Sequence, residues 1–227
     1  MKKSIIIAII GIFLFSCTTQ KQVADKSQSN QKQTSSLYYK KMSEMLPQMG
    51  QAKTPQDFNK LSNQFVVIAN AEKEEWLPLY YAAQCKIIAS FMVEDPTVKD
   101  MYLEQTKGWF EQMEKMAPDE SEIAALKALY YTAALVVNPM ARGQEYSILS
   151  NKEAMKALSF DKDNPRAKYI LLANKIGFAK FFGKPIDEEC AEAKALLEDW
   201  DSYQPKSPIH PKWGKDRVAE IVKECGK

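Results

Sequence analysis

The sequence has one histidine, eight glycines and no marked excess of charge of either sign. A single histidine leaves few candidates for a catalytic pair or a zinc site, both of which usually need several ligands close together. Few glycines argue against a turn-rich all-β protein and against a glycine-rich phosphate loop. Dinucleotide, Walker, G-x-S-x-G and H-E-x-x-H motifs are also absent. We therefore expect no enzymatic activity, no metal site and no cofactor.

The charge balance argues against a nucleic-acid partner. The chain has 31 Lys and Arg against 29 Asp and Glu, and removal of a leader that contains Lys2 and Lys3 would leave 29 of each. Non-specific binding to nucleic acids needs clustered basic residues that displace counterions from phosphates. With 45% hydrophobic and 26% charged residues, the composition is that of an ordinary globular domain.

The first residues indicate export. Lys2 and Lys3 precede an apolar run over residues 5–15, which is too short for a spanning helix of about 20 residues but matches the core of a signal peptide. The sequence Leu14-Phe15-Ser16-Cys17 resembles the lipobox of bacterial lipoproteins. The resemblance implies that residues 1–16 are removed and that Cys17 is acylated. The alternative is an ordinary signal peptide in which Cys17 has no role.

Residues 17–36 are almost entirely polar. Such a segment buries too little apolar surface to offset its ordering entropy, so we interpret it as a flexible tether. No acidic residue occurs between Thr18 and Gln22. In a lipoprotein this absence implies an outer-membrane location, and we expect the periplasmic face, with the lipid bilayer bound through acylated Cys17.

Residues 37–227 have helical periodicity and no sustained alternation, which predicts an all-α domain. Polar caps before proline mark several helix starts, such as Thr54-Pro55 and Asn164-Pro165. The pattern also predicts one helix from a cap at Thr97 to Met116 and another beginning near Gln144. It further places Phe178 and Phe181 on the buried stripe of their helix.

Two segments, residues 79–93 and 123–137, are apolar on nearly all sides, so we expect neighbours to cover them on several faces. Comparable helix starts at Leu77, Glu120 and Pro165 are 43 and 45 residues apart. This spacing predicts a repeat of antiparallel helix pairs.

The segment from Trp76 to Ala83 resembles the W-x2-L start of a tetratricopeptide helix. Similar small and apolar positions follow at Ala167, Leu171-Leu172-Ala173, Ile176, Ala191 and Leu196. The resemblance covers residues 75–203 and implies a short tetratricopeptide-like (TPR-like) α-solenoid. An irregular helical bundle is the alternative.

Three cysteines remain after Cys17. Cys85 lies among apolar residues and is predicted to be a core residue. Cys190 and Cys225 fall on the inward faces of adjacent helices, so we consider a disulfide between them as a hypothesis for an oxidising compartment. Two small buried hydrophobic residues are the alternative.

One candidate surface combines an aromatic residue with basic ones: Trp213 with Lys206, Lys212 and Lys215. This surface suits a protein partner. The alternative is that Trp213 packs against the end of the helical stack. His210 lies in the proline-rich turn over residues 204–211 and is interpreted as a solvated loop residue.

The preferred function is an envelope scaffold or assembly subunit that binds another protein. The second hypothesis is a lipoprotein that binds a small ligand or glycan in an aromatic pocket.

Overall fold

The computed structural model describes residues 36–226. The chain divides into two compact units between Tyr39 and Lys40. Of the first unit, residues 36–39 are described and are helical. The predicted leader, Cys17 and nearly all of the predicted tether lie outside the described residues.

The described part of the second unit is all-α, as predicted, and contains no strand. α1 covers residues 36–51, of which residues 40–51 belong to this unit. The helices that follow are α2 (Pro55–Ala71), α3 (Leu77–Phe91), α4 (Pro96–Glu104), α5 (Lys107–Met116), α6 (Ser121–Leu135), α7 (Pro139–Phe160), α8 (Pro165–Phe181), α9 (Asp187–Asp199) and α10 (Lys215–Cys225), with a short 3-10 helix at Trp200–Ser202.

Four helix starts follow one local rule: a polar cap precedes a proline. The side chain of the cap accepts a backbone hydrogen bond from the first turn, and proline needs no partner there. At α2, Thr54 and Asp57 accept from each other's backbone N–H in a capping box. The pairs that follow the rule are Thr54-Pro55, Asp95-Pro96, Asn138-Pro139 and Asn164-Pro165.

Two predicted boundaries were wrong. Asp95 rather than Thr97 caps α4, and the segment then breaks into α4 and α5 at Thr106, whose buried hydroxyl donates to the Leu103 carbonyl at 2.7 Å. That local bond replaces a continuous helix with a turn. α7 begins at Pro139, not near Gln144, because Asn138 caps it.

Neighbouring helices pack in pairs, most extensively α2 with α3 and α6 with α7. α3 also contacts α4, α5 and α6, while α6 contacts α3, α4, α5 and α8. The prediction that these two apolar helices are covered on several faces is confirmed. No helix within residues 36–226 combines the length and apolarity needed to span a bilayer.

An ion pair lies inside the domain and joins α6 to α8. The side chains of Arg166 and Glu122 are 2% and 3% exposed, and Arg166 Nε donates to Glu122 Oε2 at 2.6 Å. A second bond runs from Arg166 Nη2 to Glu122 Oε1, and Asn164 Nδ2 donates to the same oxygen at 3.1 Å. Burial raises the pKa of the Glu122 carboxyl, and the hydrogen bonds and charge of Arg166 oppose that shift.

The segment after Tyr203 returns to α3. Tyr81 donates its hydroxyl to the Ile209 carbonyl at 2.7 Å, and the Trp213 indole N–H donates to the Tyr80 hydroxyl, also at 2.7 Å. Gly214 then turns with φ of 109°, and a Cβ there would lie 2.7 Å from Trp200 Cη2. Glycine is therefore required at this turn by both its conformation and its space.

Candidate functional site

The returning segment forms one side of a cleft of about 530 Å³ between α1, α2 and α3. We call it the α3 cleft. This volume falls within the range of about 300–1,000 Å³ that is usual for small-molecule sites. A smaller depression of about 350 Å³ follows the outer face of α2 alone, so it lacks opposing walls. The α3 cleft is therefore the better candidate.

Aromatic residues from three elements line the α3 cleft: Phe58 from α2, Tyr81 from α3 and Trp213 from the returning segment. The hydroxyl of Tyr81 and the indole N–H of Trp213 already have partners within the protein. Trp213 is half-buried and offers a ligand mainly ring surface, whereas Tyr81 is buried and offers little. Their hydrogen bonds also fix the rings before a ligand arrives, which lowers the entropic cost of binding.

Aliphatic side chains complete the apolar lining. Leu46 and Met49 come from the last turns of α1, and Ile88 comes from α3. All three are half-buried. Methionine adapts its shape readily and contacts aromatic rings favourably. The lining therefore suits an apolar ligand.

A few polar groups lie among these apolar surfaces: Ser43, Gln84, His210 and Lys212. Lys212 is exposed, and its ammonium forms no ion pair with any residue in the described range 36–226. A ligand with a carboxylate or phosphate at one edge would find a charge partner there.

No family model matches the chain, and no curated protein matches it. One solved structure is similar: the HusA haemophore from Porphyromonas gingivalis, with a TM-score of 0.72 and 26% sequence identity. The similarity covers 83% of this chain and 92% of that one. This chain thus resembles a haemophore over nearly the whole length of that protein.

The structure separates the residues of the predicted basic-aromatic surface. Trp213 and Lys212 both line the α3 cleft. Lys215 instead pairs with the Asp201 carboxylate, and Lys206 pairs with Glu120 at 2.7 Å. Only half of that set is therefore available to a ligand at the cleft.

The two cysteines of the disulfide hypothesis are bonded to each other in the structure. Cys190 at the start of α9 and Cys225 at the end of α10 form a disulfide with 5.7 Å between their Cα atoms. Cys85 is a free, buried thiol, and burial raises its pKa to about 12. No group of three or more His, Cys, Asp or Glu in residues 36–226 is arranged to hold a metal ion.

Sequence reasoning missed most of the cleft lining. Phe58 and the Tyr80-Tyr81 doublet lie at helical spacings, which are typical of core positions and do not indicate a cleft. Both tyrosines are buried. The segment after Tyr203 covers the side of α3 that would otherwise face water, and no local pattern indicates that contact.

His210 is part of the α3 cleft rather than a solvated loop residue. Its Nδ1 lies 2.7 Å from the Ser207 hydroxyl, and its ring packs edge-on against Trp76 at 5.7 Å. Burial lowers the pKa of His210 from its ordinary 6.5, which the charge of Glu120 opposes. The imidazole is therefore neutral at physiological pH.

We expect an NMR titration to give a pKa below 6.5 for this side chain, and its signal needs no assignment because the chain has one histidine. The unfolded state then binds the proton more tightly than the folded state. The stability that the neutral ring contributes is fully present above pH 6.5 and is lost as the pH falls from there through the lower pKa of the folded state. A measured pKa of 6.5 or above would contradict the burial of the ring.

Proposed function

We propose that this protein binds a planar, largely apolar ligand of the haem class in the α3 cleft. The observation that carries the proposal is the cleft itself, which is lined by apolar residues from α1, α2 and α3 and by the half-buried ring of Trp213. The similarity to the HusA haemophore supports the ligand class. The second hypothesis from the sequence was an aromatic pocket for a small ligand or glycan, and this proposal names the class of that ligand.

The chemistry of haem matches the arrangement of the lining. A porphyrin has two flat apolar faces and carries carboxylates at one edge. The half-buried ring of Trp213 and side chain of Met49 suit the faces, since aromatic groups stack with an offset and thioethers pack on rings. Lys212 suits the carboxylate edge because its ammonium has no partner among the described residues.

The proposal includes the location inferred from the lipobox. Acylated Cys17 would hold the binding domain at the outer membrane, and the polar segment 17–36 would let it reach ligands in the periplasm. Incorporation of labelled palmitate, lost on Cys17→Ala, tests this part separately from ligand binding.

The α3 cleft can be blocked without removing any side chain. Gly50 lines the cleft, and a Cβ there would meet no atom within 4 Å. A tryptophan at this position would therefore fit without a clash at its Cβ, and it would occupy part of the cleft that Gly50 lines. Gly108 in α5 is a matched control, because a Cβ there also meets nothing within 4 Å and the position lies outside the cleft.

We expect haemin to saturate the leaderless chain (residues 18–227) in an absorbance titration. Gly50→Trp should raise the dissociation constant about tenfold or more, because the indole occupies ring-binding space. Gly108→Trp should bind as the original chain does, and circular dichroism should be the same for all three. Unchanged binding by Gly50→Trp, or no saturable binding by the original chain, would refute the proposal.

A second candidate is the protein scaffold that the sequence favoured. A row of exposed apolar side chains on α7 supports it: Met140, Ile148 and Met155 are 84%, 62% and 63% exposed. This candidate predicts a stoichiometric envelope protein that co-purifies with the lipidated chain and is lost with Cys17→Ala. Such recovery, together with a failed haemin titration, would replace the first candidate with the second.

A further inference from the structure

Three phenylalanines at the end of α8 are exposed together. Phe178, Phe181 and Phe182 are 57%, 60% and 58% exposed. The ring centroids of Phe178 and Phe182 are 4.7 Å apart, and those of Phe181 and Phe182 are 5.1 Å apart. We call this cluster the Phe tip. Its rings contact one another rather than the core, although the sequence had assigned Phe178 and Phe181 to the buried stripe.

The backbone holds the Phe tip in a defined shape. α8 ends at Phe181, and Gly183 follows in the left-handed conformation with φ of 62°. Gly183 N donates to the Lys180 carbonyl at 3.2 Å, and Lys184 N donates to the Ala179 carbonyl at 2.8 Å. These bonds satisfy carbonyls that a helix end leaves free. The exposed rings therefore sit on an ordered turn.

A cation accompanies the aromatic rings. The ammonium of Lys184 lies 5.3 Å from the centroid of the Phe178 ring, and it forms no ion pair with a carboxylate in the described range. Two lysines in the second half of α8 are neutralised: Lys175 by Glu192 at 2.7 Å and Lys180 by Glu224 at 3.2 Å. Across the turn, α9 begins with the acidic residues Asp187, Glu188 and Glu189. Lys184 is therefore the cation beside the rings, and the acidic residues lie on the far side of the turn in sequence.

The Phe tip is too small for a stable protein interface. With about 200 Å² for each phenylalanine side chain, these exposed fractions leave on the order of 350 Å² of aromatic surface in water. A specific interface buries about 800 Å² on each partner. A lipid surface needs no such area, because a few aromatic side chains at the headgroup level contribute individually.

We propose that the Phe tip inserts into the headgroup boundary of a lipid bilayer. The inference does not rest on the α3 cleft. It agrees with the predicted acylation of Cys17, because a flexible tether of twenty residues has an end-to-end distance of about 25 Å and would keep the domain beside the membrane. The phenyl rings would enter the apolar boundary while Lys184 stays at the phosphate level. The tip would then orient the domain on the bilayer.

The test is flotation of the leaderless chain, which has no acyl group, with vesicles of phosphatidylethanolamine and phosphatidylglycerol. Replacement of all three phenylalanines with serine should lower the bound fraction about fivefold or more. The matched control removes equally exposed apolar residues from α7: Met140→Ser, Ile148→Ser and Met155→Ser together. It should float as the original chain does.

Three results would overturn the proposal: no flotation of the original chain, equal flotation of the Phe-tip variant, or an equal loss in the α7 control. The alternative occupant of the Phe tip is a second copy of this chain, which sedimentation of the same proteins without lipid would detect. A dimer that dissociates only in the Phe-tip variant would assign the tip to a second copy of this chain. Phe181→Ser alone serves as the variant if the triple replacement does not fold.

Discussion

Replacement of Arg166 with alanine is expected to lower the free energy of unfolding by about 3–5 kcal/mol. The guanidinium is 2% exposed and contacts both oxygens of the Glu122 carboxylate. Its removal leaves a buried negative charge whose remaining side-chain donor is Asn164. A carboxylate in that position has lost its counter-charge and has no access to water, which is the costly case for a buried ion pair.

Urea unfolding followed by circular dichroism measures this change. Arg217→Ala is the control, since Arg217 pairs with Glu220 at 2.8 Å but their side chains are 68% and 61% exposed. We expect less than about 1 kcal/mol there. The double replacement Glu122→Leu with Arg166→Met should cost less than Arg166→Ala alone, because it leaves no buried charge. A loss for Arg166→Ala as small as the control's would show that the pair is solvated.

Loss of the disulfide is the second large effect that we expect. Replacement of both Cys190 and Cys225 with serine should lower the free energy of unfolding by about 3 kcal/mol. The bond spans a sequence separation of 35 and connects the first turn of α9 to the last residue of α10. Without it, the unfolded chain gains conformational freedom that the crosslink had removed.

Urea titrations with and without dithiothreitol measure the effect. The reductant should destabilise the original chain and leave the Cys190→Ser, Cys225→Ser variant unchanged. Thiol counting on the denatured, unreduced leaderless chain gives an independent answer: Cys85 alone should react. Three reactive thiols would show that the bond does not form.

Local features of the fold were predictable from the sequence because their causes are local. Cap-proline pairs such as Asn164-Pro165 determine where helices begin, with no help from distant residues. α3 and α6 are apolar on nearly all sides, so their own residues indicate that neighbouring helices cover several of their faces. The all-α class follows from these signals together.

The α3 cleft was not predictable, because its walls come from opposite ends of the domain. Met49 on α1 and Trp213 near the C-terminus are separated by most of the domain and meet only in the tertiary structure. The Arg166–Glu122 pair spans 44 residues in the same way. Helical periodicity describes which face of one helix is apolar and contains no information on which neighbour covers it.

The Phe tip shows where periodicity was wrong at one end of α8. Ala167 and Ile170 of the predicted stripe are buried, but Phe178 and Phe181 are exposed. The stripe that packs on α9 and α10 is instead formed by Leu172 and Ile176, against Ala193, Leu196 and Val218. Ala179 continues this stripe and is also buried. The size of an apolar side chain was therefore a poor guide to its burial at this end of the helix.

The hydrogen bonds that link the C-terminal segment to α3 make the α3 cleft dependent on the end of the chain. They connect Tyr81 to Ile209 and Tyr80 to Trp213, over 128 and 133 positions. A polypeptide still emerging during synthesis or export has α1, α2 and α3 before it has the wall that contains Trp213. A protease that cuts after Tyr203 would leave the segment with Trp213 attached through the Cys190–Cys225 disulfide and these hydrogen bonds. Reduction of that disulfide would then allow the wall to leave, so the crosslink also protects the α3 cleft against a cut in this segment.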